Sequence, residues 1–270
     1  GLGHRARARR GGQRRLHVTP VLLSGRHGGT THGEVELLAS LPPELRLIGG
    51  LAVMCRVGSP HRTTVGLDAV ARDLTGLHES IARMAVTATG GGQYRFEGAL
   101  DLDVIDVAPQ TIDELVEHLV ATGEPLTDLE LNIVALTWAH DGATPLDVVA
   151  VDEVTGDRLA HAPQRQVATT SGLVAMKVTA IPLRASTRPE KRASDLYDLS
   201  RLLLAPGPDA ATLEQMPDVL ARVVRTRLRS WFIDDAGRDR TFREVRRFDE
   251  PLVDLDDVAD AVADLVGTAG

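Results

Sequence analysis

The spacing of hydrophobic residues divides the chain into a strand-rich part followed by a helical part. Short apolar runs rich in β-branched and aromatic residues, separated by Gly, Pro and Asp, predict strands before about residue 160. From about Val167 onward, helical spacing predicts helices over Ser171 to Pro182, Lys191 to Leu204, Ala211 to Phe232 and Asp254 to Val266. We therefore expect an α/β fold with a mixed sheet in residues 41–160 and a helical domain in residues 161–270.

The elements of the first part follow from the same pattern. A capping box formed by Thr111 and Glu114 predicts an amphipathic helix that ends near Gly123. Residues 1–40 combine clustered Arg with Gly and His and show no period, so we expect a poorly ordered tail, or alternatively a basic arm for RNA. Strands are expected over His61 to Val70, Ser80 to Thr89, Gln93 to Val107, Leu129 to Trp138 and Leu146 to Val151.

The stretch from Leu47 to Ala69 combines a glycine turn, a helix start and a strand carboxylate. An apolar lead-in runs into Gly49 and Gly50, and a helix-like segment follows at once. A glycine pair lets the backbone approach a bound group closely, and the free N–H groups of a helix start attract phosphate. Asp68 then lies on the following predicted strand. This arrangement is typical of a phosphate site with an acid beside it.

A second acidic strand follows between Ala99 and Pro109, where acids and apolar residues alternate. The strand period of two places Asp101 and Asp103 on one face and Asp106 on the other. Only one of these faces can point at a metal ion shared with Asp68. The pattern alone also fits a solvated acidic edge strand.

The helical part carries a lysine in an apolar run. Lys177 and Lys191 are the only lysines of the chain. An ammonium group among apolar residues needs a counter-charge, which a triphosphate or the pair Asp195 and Asp198, three residues apart on one helical face, would supply. The alternative is a lysine that reaches solvent. Arg184 shares the face of Lys177 only if Pro182 does not end the helix.

These residues together resemble the nucleotidyltransferase toxins of the AbiEii/MenT type, within the polymerase-β-like superfamily. The family's signature is a Gly-Gly or Gly-Ser turn followed by an Arg-x-Thr-x-Asp-hydrophobic-Asp strand. Its later segments are Lys-x-x-Ala-x-x-x-Arg and Asp-x-x-Asp-Leu. The matching positions are Gly49, Gly50, Arg62, Thr64, Leu67, Asp68, Lys177, Ala180, Arg184, Asp195, Asp198 and Leu199. Gly66 departs from the pattern, because it stands where the first acid of the strand pair is expected.

The resemblance implies roles for these positions. Asp68, Lys177 and Asp198 would be catalytic, and Gly49, Gly50, Arg62, Thr64, Arg184 and Asp195 would bind the nucleotide. Mg²⁺ would be held by Asp68 together with an acid from a neighbouring strand. Asp106 looks most like that third acid, and Asp103 is its rival. The site would lie in the cleft between a polymerase-β-like core and the helical domain.

Composition and charge narrow the choice of partners and compartment. A net charge of −8 argues against a protein that coats nucleic acid through bulk positive charge. A local basic region remains available, for an RNA strand or for pairing with nearby acids: Arg222, Arg225, Arg227, Arg229, Arg238, Arg240, Arg243, Arg246 and Arg247. A single cysteine, Cys55, and the lack of a long apolar run predict a cytoplasmic protein without a membrane segment.

The resemblance implies a toxin of a toxin–antitoxin pair that transfers a nucleotide from an NTP to RNA. Within the family the acceptor is often the 3′ end of tRNA, and a cognate antitoxin protein would be the partner. The alternative is a catalytically silent member, with Gly66 disabling metal binding, that serves as a nucleotide- or partner-binding module.

Overall fold

The architecture is taken from a computed structural model that describes residues 20–58, 66–184, 188–207, 210–248 and 253–267. The strands of these residues are β1 (Val21–Gly25), β2 (Arg46–Ile48), β3 (Leu67–Ala71), β4 (Thr87–Thr89), β5 (Gln93–Arg95), β6 (Asp101–Asp106), β7 (Thr144–Asp152) and β8 (Arg158–Val167). The α-helices are α1 (Thr30–Ser40), α2 (Gly49–Val57), α3 (Leu74–Ala82), α4 (Ile112–Val120), α5 (Asp128–Asp141), α6 (Thr170–Arg184), α7 (Pro189–Leu204), α8 (Ala210–Glu214), α9 (Asp218–Phe232), α10 (Asp235–Val245) and α11 (Leu255–Val266).

All described strands join one mixed sheet, in the order β1-β7-β8-β2-β3-β6-β5-β4. β1 pairs parallel with β7, β2 parallel with β8 and β3 parallel with β6, while the remaining neighbours are antiparallel. The expected mixed α/β fold with a helical C-terminal region is therefore confirmed. No helix in the described parts of the chain is long and apolar enough to cross a membrane.

Hydrogen bonds to backbone carbonyl groups hold the start of the helical region against the middle of the sheet. The N–H of Ala168 donates to the carbonyl of Leu47 at 2.9 Å, directly after β8. The guanidinium of Arg56, at the end of α2, donates to the carbonyls of Val167 and Ala168 at 2.7 and 2.8 Å. The start of α6 is thereby held beside β2 and α2, which carry the predicted glycine turn.

The expectation of a poorly ordered tail through residue 40 is wrong for residues 20–40. Leu23 of β1 and Val35 of α1 are completely buried, and β1 forms the edge of the sheet beside β7. The Gly- and His-rich loop between these two short elements interrupts the hydrophobic pattern, so the sequence shows no clear period there. Residues 1–19 lie outside the described residues.

The predicted strand from Leu129 to Trp138 is a helix. Its run of Leu, Ile and Val suggests a strand, but Thr127 and Glu130 form a capping box that starts α5. The N–H of Glu130 donates to Thr127 Oγ1 at 3.3 Å, and the N–H of Thr127 donates to the Glu130 carboxylate at 2.7 Å. The neighbouring capping box at Thr111 starts α4 as expected.

Other boundaries also differ from the sequence interpretation. Ser80 belongs to α3, and the strand expected over Gln93 to Val107 is divided into β5 and β6. The sheet continues through β8 to Val167, so the change to helices comes after the strand and not at residue 160. The helix expected over Ala211 to Phe232 is divided into α8 and α9, with Pro217 at the N-cap of α9. Proline lacks the N–H that a continuous helix would need at that position.

Candidate active site

The glycine turn and the strand carboxylate lie in direct contact. Ile48 at the end of β2 is the antiparallel partner of Asp68 on β3. Gly49 has a φ of +70°, and a Cβ at this position would overlap the carboxylate of Asp68. The first turn of α2, which begins at Gly49 without a side-chain cap, is therefore set against the Asp68 carboxylate. Only glycine allows both this backbone conformation and this close approach.

Asp68 has an acidic neighbour on the next strand. β3 and β6 pair in parallel, and Asp103 is the register partner of Asp68, so the two carboxylates share one face of the sheet. Partial burial, followed by the negative charges of Asp68 and Asp101, raises the pKa of the Asp103 carboxyl, while Lys191 partly offsets this effect. Two carboxylates that repel each other on one face attract a cation to the space between them.

The structure does not place Asp106 beside Asp68. Asp106 pairs with Ala71 at the other end of β3, on the face opposite to Asp103, and its carboxylate accepts a hydrogen bond from the N–H of Leu74 at 3.2 Å. Asp106 thus stabilises the first turn of α3. Strand periodicity separates the two aspartates correctly, but the resemblance selects the wrong one of them as the neighbour of Asp68.

The structure explains why residue 66 is a glycine, which the sequence alone does not reveal. Its φ is +97°, and a Cβ here would lie 2.5 Å from the carbonyl oxygen of Asp101. Gly66 also precedes β3, which begins at Leu67, so strand alternation does not place it beside Asp68. A side chain at this position, including the acid that the family pattern expects, would therefore be strained and would collide with the backbone of Asp101. The second carboxylate of this face comes from Asp103 instead.

Lys177 lies in an ion-pair network between α6 and α7. Its Nζ donates to Asp195 Oδ1 at 2.7 Å and to Asp198 Oδ2 at 2.6 Å, and Arg184 also pairs with Asp195. Lys177 is 9% exposed, and both aspartates are completely buried. Burial opposes the charge of Lys177, but the two carboxylates outweigh it and raise its pKa. The pairing expected from the sequence is confirmed, and α6 continues past Pro182 to bring Arg184 into it.

A cavity of about 90 Å³ joins these groups. Asp198 does not line the cavity and acts on it only through its ion pair with Lys177. Asp103 is likewise absent from its lining, although it adjoins Asp68 on the sheet. The cavity is lined by Ile48, Gly49, Gly50, Asp68, Ile105, Asn132, Leu136, Leu173, Met176, Lys177, Ala180, Arg184, Lys191 and Asp195.

Lys191 is a member of this site that motif reasoning missed. It is exposed on α7, lines the cavity and acts electrostatically on Asp103. Its rarity in the sequence could have indicated it. Lys177 and Lys191 are the only lysines of an arginine-rich chain, and both line this cavity. Arg62 and Thr64, the other expected nucleotide-binding residues, lie outside the described residues. Within the described ranges, no three acidic, His or Cys side chains are close enough to hold a metal ion by themselves.

The arginines of α9 and α10 divide into two groups. Arg227 pairs with Asp128, Arg238 with Asp256, and Arg240 with Glu244 at 3.2 Å, so these side chains stabilise the helical region. Arg229 donates to the carbonyl of Gly267 at 3.1 Å. The remaining arginines of α9, α10 and the two residues after α10 have no ion pair among the described residues and are exposed: Arg222, Arg225, Arg243, Arg246 and Arg247. The basic region of the sequence is therefore partly structural and partly a solvent-facing surface.

Comparison with known families is consistent with this geometry. A sequence model described as nucleotidyl transferase AbiEii toxin, type IV TA system, matches residues 36–267, from the second half of α1 to the end of α11. No curated protein matches the chain. Because the match covers most of its length, the chain belongs to the AbiEii nucleotidyltransferase toxins of type IV toxin–antitoxin systems.

Proposed function

We propose that this AbiEii toxin transfers a nucleotide from an NTP to RNA, at the 3′ end of tRNA, in a reaction that depends on Mg²⁺. One observation carries the proposal: a glycine turn at a helix start, two lysines, an arginine and a strand carboxylate all line one cavity. An aspartate on the adjoining strand shares the face of that carboxylate. Cations and backbone N–H groups suit a triphosphate, and paired carboxylates suit the metal ion that accompanies it.

The triphosphate has one favoured position in this cavity. The first turn of α2 offers backbone N–H groups and the positive end of the helix dipole. Lys177, Arg184 and Lys191 line the same space and carry positive charge. We therefore place the β- and γ-phosphates among these groups. The apolar lining residues Ile105, Leu136 and Met176 offer a surface for the base of the nucleotide.

The residues present fit a divalent cation. The carboxylates of Asp68 and Asp103 lie on one face, and their oxygens are the ligands that Mg²⁺ prefers. With two protein carboxylates, the nucleotide phosphates would complete the ligand set, which is the usual way in which Mg²⁺ is bound with substrate phosphates. When bound there, the cation supplies charge that stabilises the developing negative charge at the α-phosphate.

The proposed reaction is an in-line displacement. The hydroxyl oxygen of the RNA forms a bond to the α-phosphorus, and the bond from that phosphorus to the bridging oxygen breaks, so that pyrophosphate leaves with the electron pair. Asp103 accepts the proton of the hydroxyl. A carboxylate has two oxygens, so Asp103 can accept the proton through one oxygen while the other faces the cation. Lys177 and Arg184 stabilise the charge of the leaving pyrophosphate.

Asp198 and Asp195 act mainly on the position and charge of Lys177. Asp198 is completely buried and holds the ammonium at 2.6 Å, so it is a positioning residue in this proposal. Asp195 lines the cavity but is shared between Lys177 and Arg184. The two aspartates keep the two cations in fixed positions beside the phosphates.

We infer the RNA acceptor from the surface charge, and the cellular compartment from the partners that the family implies. The exposed arginines of α9 and α10 offer positive charge for the RNA backbone on a chain whose net charge is −8. NTPs, tRNA and a cognate antitoxin protein meet in the cytoplasm, where we place the toxin.

Transfer of label tests this function directly. Purified protein is incubated with α-labelled NTPs, mixed tRNA and Mg²⁺, and labelled RNA is separated from free nucleotide. We expect label on tRNA with the natural chain and loss of at least a hundredfold with Asp68→Asn, because the carboxylate held against Gly49 is removed. A folded natural chain that binds NTP but transfers no label to any RNA would instead identify a catalytically silent nucleotide-binding module.

A further inference from the structure

The sheet face that carries Asp68 and Asp103 continues beyond the cavity as an open polar surface. Gln93 on β5 is the register partner of Asp103, and Thr89 on β4 is the partner of Gln93. A second row runs parallel to the first, with Arg95 opposite Asp101 and Thr87 opposite Arg95. We call this surface the β4–β6 shelf, comprising Thr87, Thr89, Gln93, Arg95, Asp101 and Asp103.

On the opposite face, three side chains of β5 and β6 are buried. Tyr94, Leu102 and Val104 point into the core, and the phenol of Tyr94 is 2.8 Å from His78 of α3. The shelf side chains Thr87, Thr89 and Gln93 are exposed, and a space of about 420 Å³ lies over them. At roughly 4.8 Å per strand, the shelf extends about 14 Å from Asp68 toward the sheet edge. That length suits the end of a polynucleotide strand.

We propose that the β4–β6 shelf binds the terminal nucleoside of the acceptor RNA and directs its hydroxyl toward the α-phosphate. This inference rests on the proposed nucleotidyl transfer and specifies where its second substrate lies. The in-line geometry requires the attacking oxygen and the leaving pyrophosphate on opposite sides of the phosphorus. The groups suited to pyrophosphate, namely Lys177, Arg184 and Lys191, all line the cavity, and none of them lines the space over the shelf.

The chemistry of the shelf favours a nucleoside over a run of phosphates. Its one cation, Arg95, is paired with Asp101 at 2.8 Å, so the shelf offers no excess positive charge. Thr87, Thr89 and Gln93 provide hydroxyl and amide groups that can donate to and accept from ribose hydroxyls and base edges. The base of the incoming nucleotide already has an apolar surface at Ile105, Leu136 and Met176 beside the phosphates.

The test separates binding of the acceptor from binding of the NTP. Thr89→Trp fills the shelf two strands away from Asp103, and Gln93→Ala removes one amide group. Thr155→Trp is the matched control, because Thr155 is also exposed but lies in the turn between β7 and β8. Three quantities are measured for each protein: affinity for a non-hydrolysable NTP analogue with Mg²⁺, affinity for a short single-stranded RNA ending in CCA with a free 3′ hydroxyl, and the KM for tRNA.

We expect Thr89→Trp to weaken RNA affinity and to raise the KM for tRNA by about tenfold or more, and Gln93→Ala by about two- to tenfold, as for loss of one hydrogen bond. NTP-analogue affinity should stay within about twofold of the natural chain in both variants, and Thr155→Trp should change none of the three quantities.

Three results would overturn the proposal. NTP-analogue affinity that falls while RNA affinity is unchanged would assign the shelf to the incoming base. Unchanged values throughout would make the shelf an ordinary solvated sheet face, and a natural chain that binds no RNA would also exclude it. If the natural chain binds RNA and Thr89→Trp weakens that binding, the shelf stands even where no label is transferred, so the two proposals fail separately.

Discussion

At the scale of single residues, two glycines at the ends of α2 show which contacts matter to the site. Gly49 and Gly58 both have positive φ, +70° and +79°, and both flank or begin the same helix. A Cβ at Gly58 would meet open space, whereas a Cβ at Gly49 would overlap Asp68. The pair therefore separates backbone strain from displacement of the carboxylate.

Gly49→Ala should abolish metal-dependent transfer, whereas Gly58→Ala should keep it. Both substitutions impose about 1–2 kcal/mol of left-handed backbone strain, but only the first displaces Asp68 from its position beside Asp103. Transfer rates are compared at a temperature where circular dichroism shows both variants to be folded. Equal activity of the two variants would mean that the contact between Gly49 and Asp68 does not set the site.

Asp103→Asn should raise the melting temperature of the metal-free protein while removing its activity. The pKa of Asp103 is raised in the folded state above its ordinary value near 3.8, so the ionised carboxylate destabilises the fold as pH rises from that value through the raised one. The amide removes the repulsion from Asp68 and Asp101 at neutral pH. Thermal unfolding is followed with and without Mg²⁺.

The same experiment identifies the cation site. Mg²⁺ should stabilise the natural chain and leave the melting temperature of Asp103→Asn almost unchanged, since binding to the folded state alone raises stability. Stabilisation of the two forms by equal amounts would exclude Asp103 as a ligand.

Lys177→Met should destabilise the protein by about 3–5 kcal/mol, because Asp195 and Asp198 would remain buried without this counter-charge. Replacing both aspartates by Asn in the same chain should restore much of that stability. NTP affinity, measured separately, should stay low in the restored variant, since the ammonium of Lys177 no longer faces the phosphates. Recovery of NTP affinity together with stability would show that Lys177 has a structural role alone.

At the scale of elements, the sequence predicts best where local signals are strong and unambiguous. The capping box at Thr111 and the helical spacing of Lys177 and Asp195 give α4, α6 and α7 close to their observed bounds. The run around Val134 is strand-like in composition, and its helix is decided by the capping box at Thr127 and by burial against α6. β1 depends on pairing with β7, more than a hundred residues later, which no local pattern contains.

Leu23→Ala should lower the free energy of unfolding by about 2–5 kcal/mol, as expected for a buried leucine. Leu22, its neighbour on β1, is 53% exposed whereas Leu23 is 0% exposed, so Leu22→Ala is a matched control with an expected change within about 0.5 kcal/mol. Urea unfolding gives both values. Equal small effects would remove β1 from the folded core and restore the idea of a disordered tail.

At the scale of the whole molecule, the sequence identifies most members of the site but not their arrangement. Asp68, Lys177 and Asp195 follow from motifs, whereas the choice of Asp103 over Asp106 depends on the register between β3 and β6. Lys191 is marked in the sequence only by the rarity of lysine, and its place in the cavity and its effect on Asp103 come from the structure. Gly66 looks like a lost acid until its φ and its contact with Asp101 are known.

A chain that stops after residue 168 should be harmless to the cell that makes it. It keeps Gly49, Asp68 and Asp103 but lacks Lys177 and Arg184, and so lacks the cations that line the cavity. Growth is compared after induction of the shortened and full chains without antitoxin, at matched protein levels. Growth inhibition by the shortened chain would show that the sheet alone is sufficient for toxicity.

Because the two halves of the cavity lie far apart along the chain, the ribosome makes them at different times. The glycine turn and Asp68 leave the ribosome long before α6 and α7, which complete the cavity with Lys177 and Lys191. A nascent toxin therefore carries no assembled site for most of its translation. The order of the elements therefore delays assembly of the proposed site until late in the synthesis of each chain.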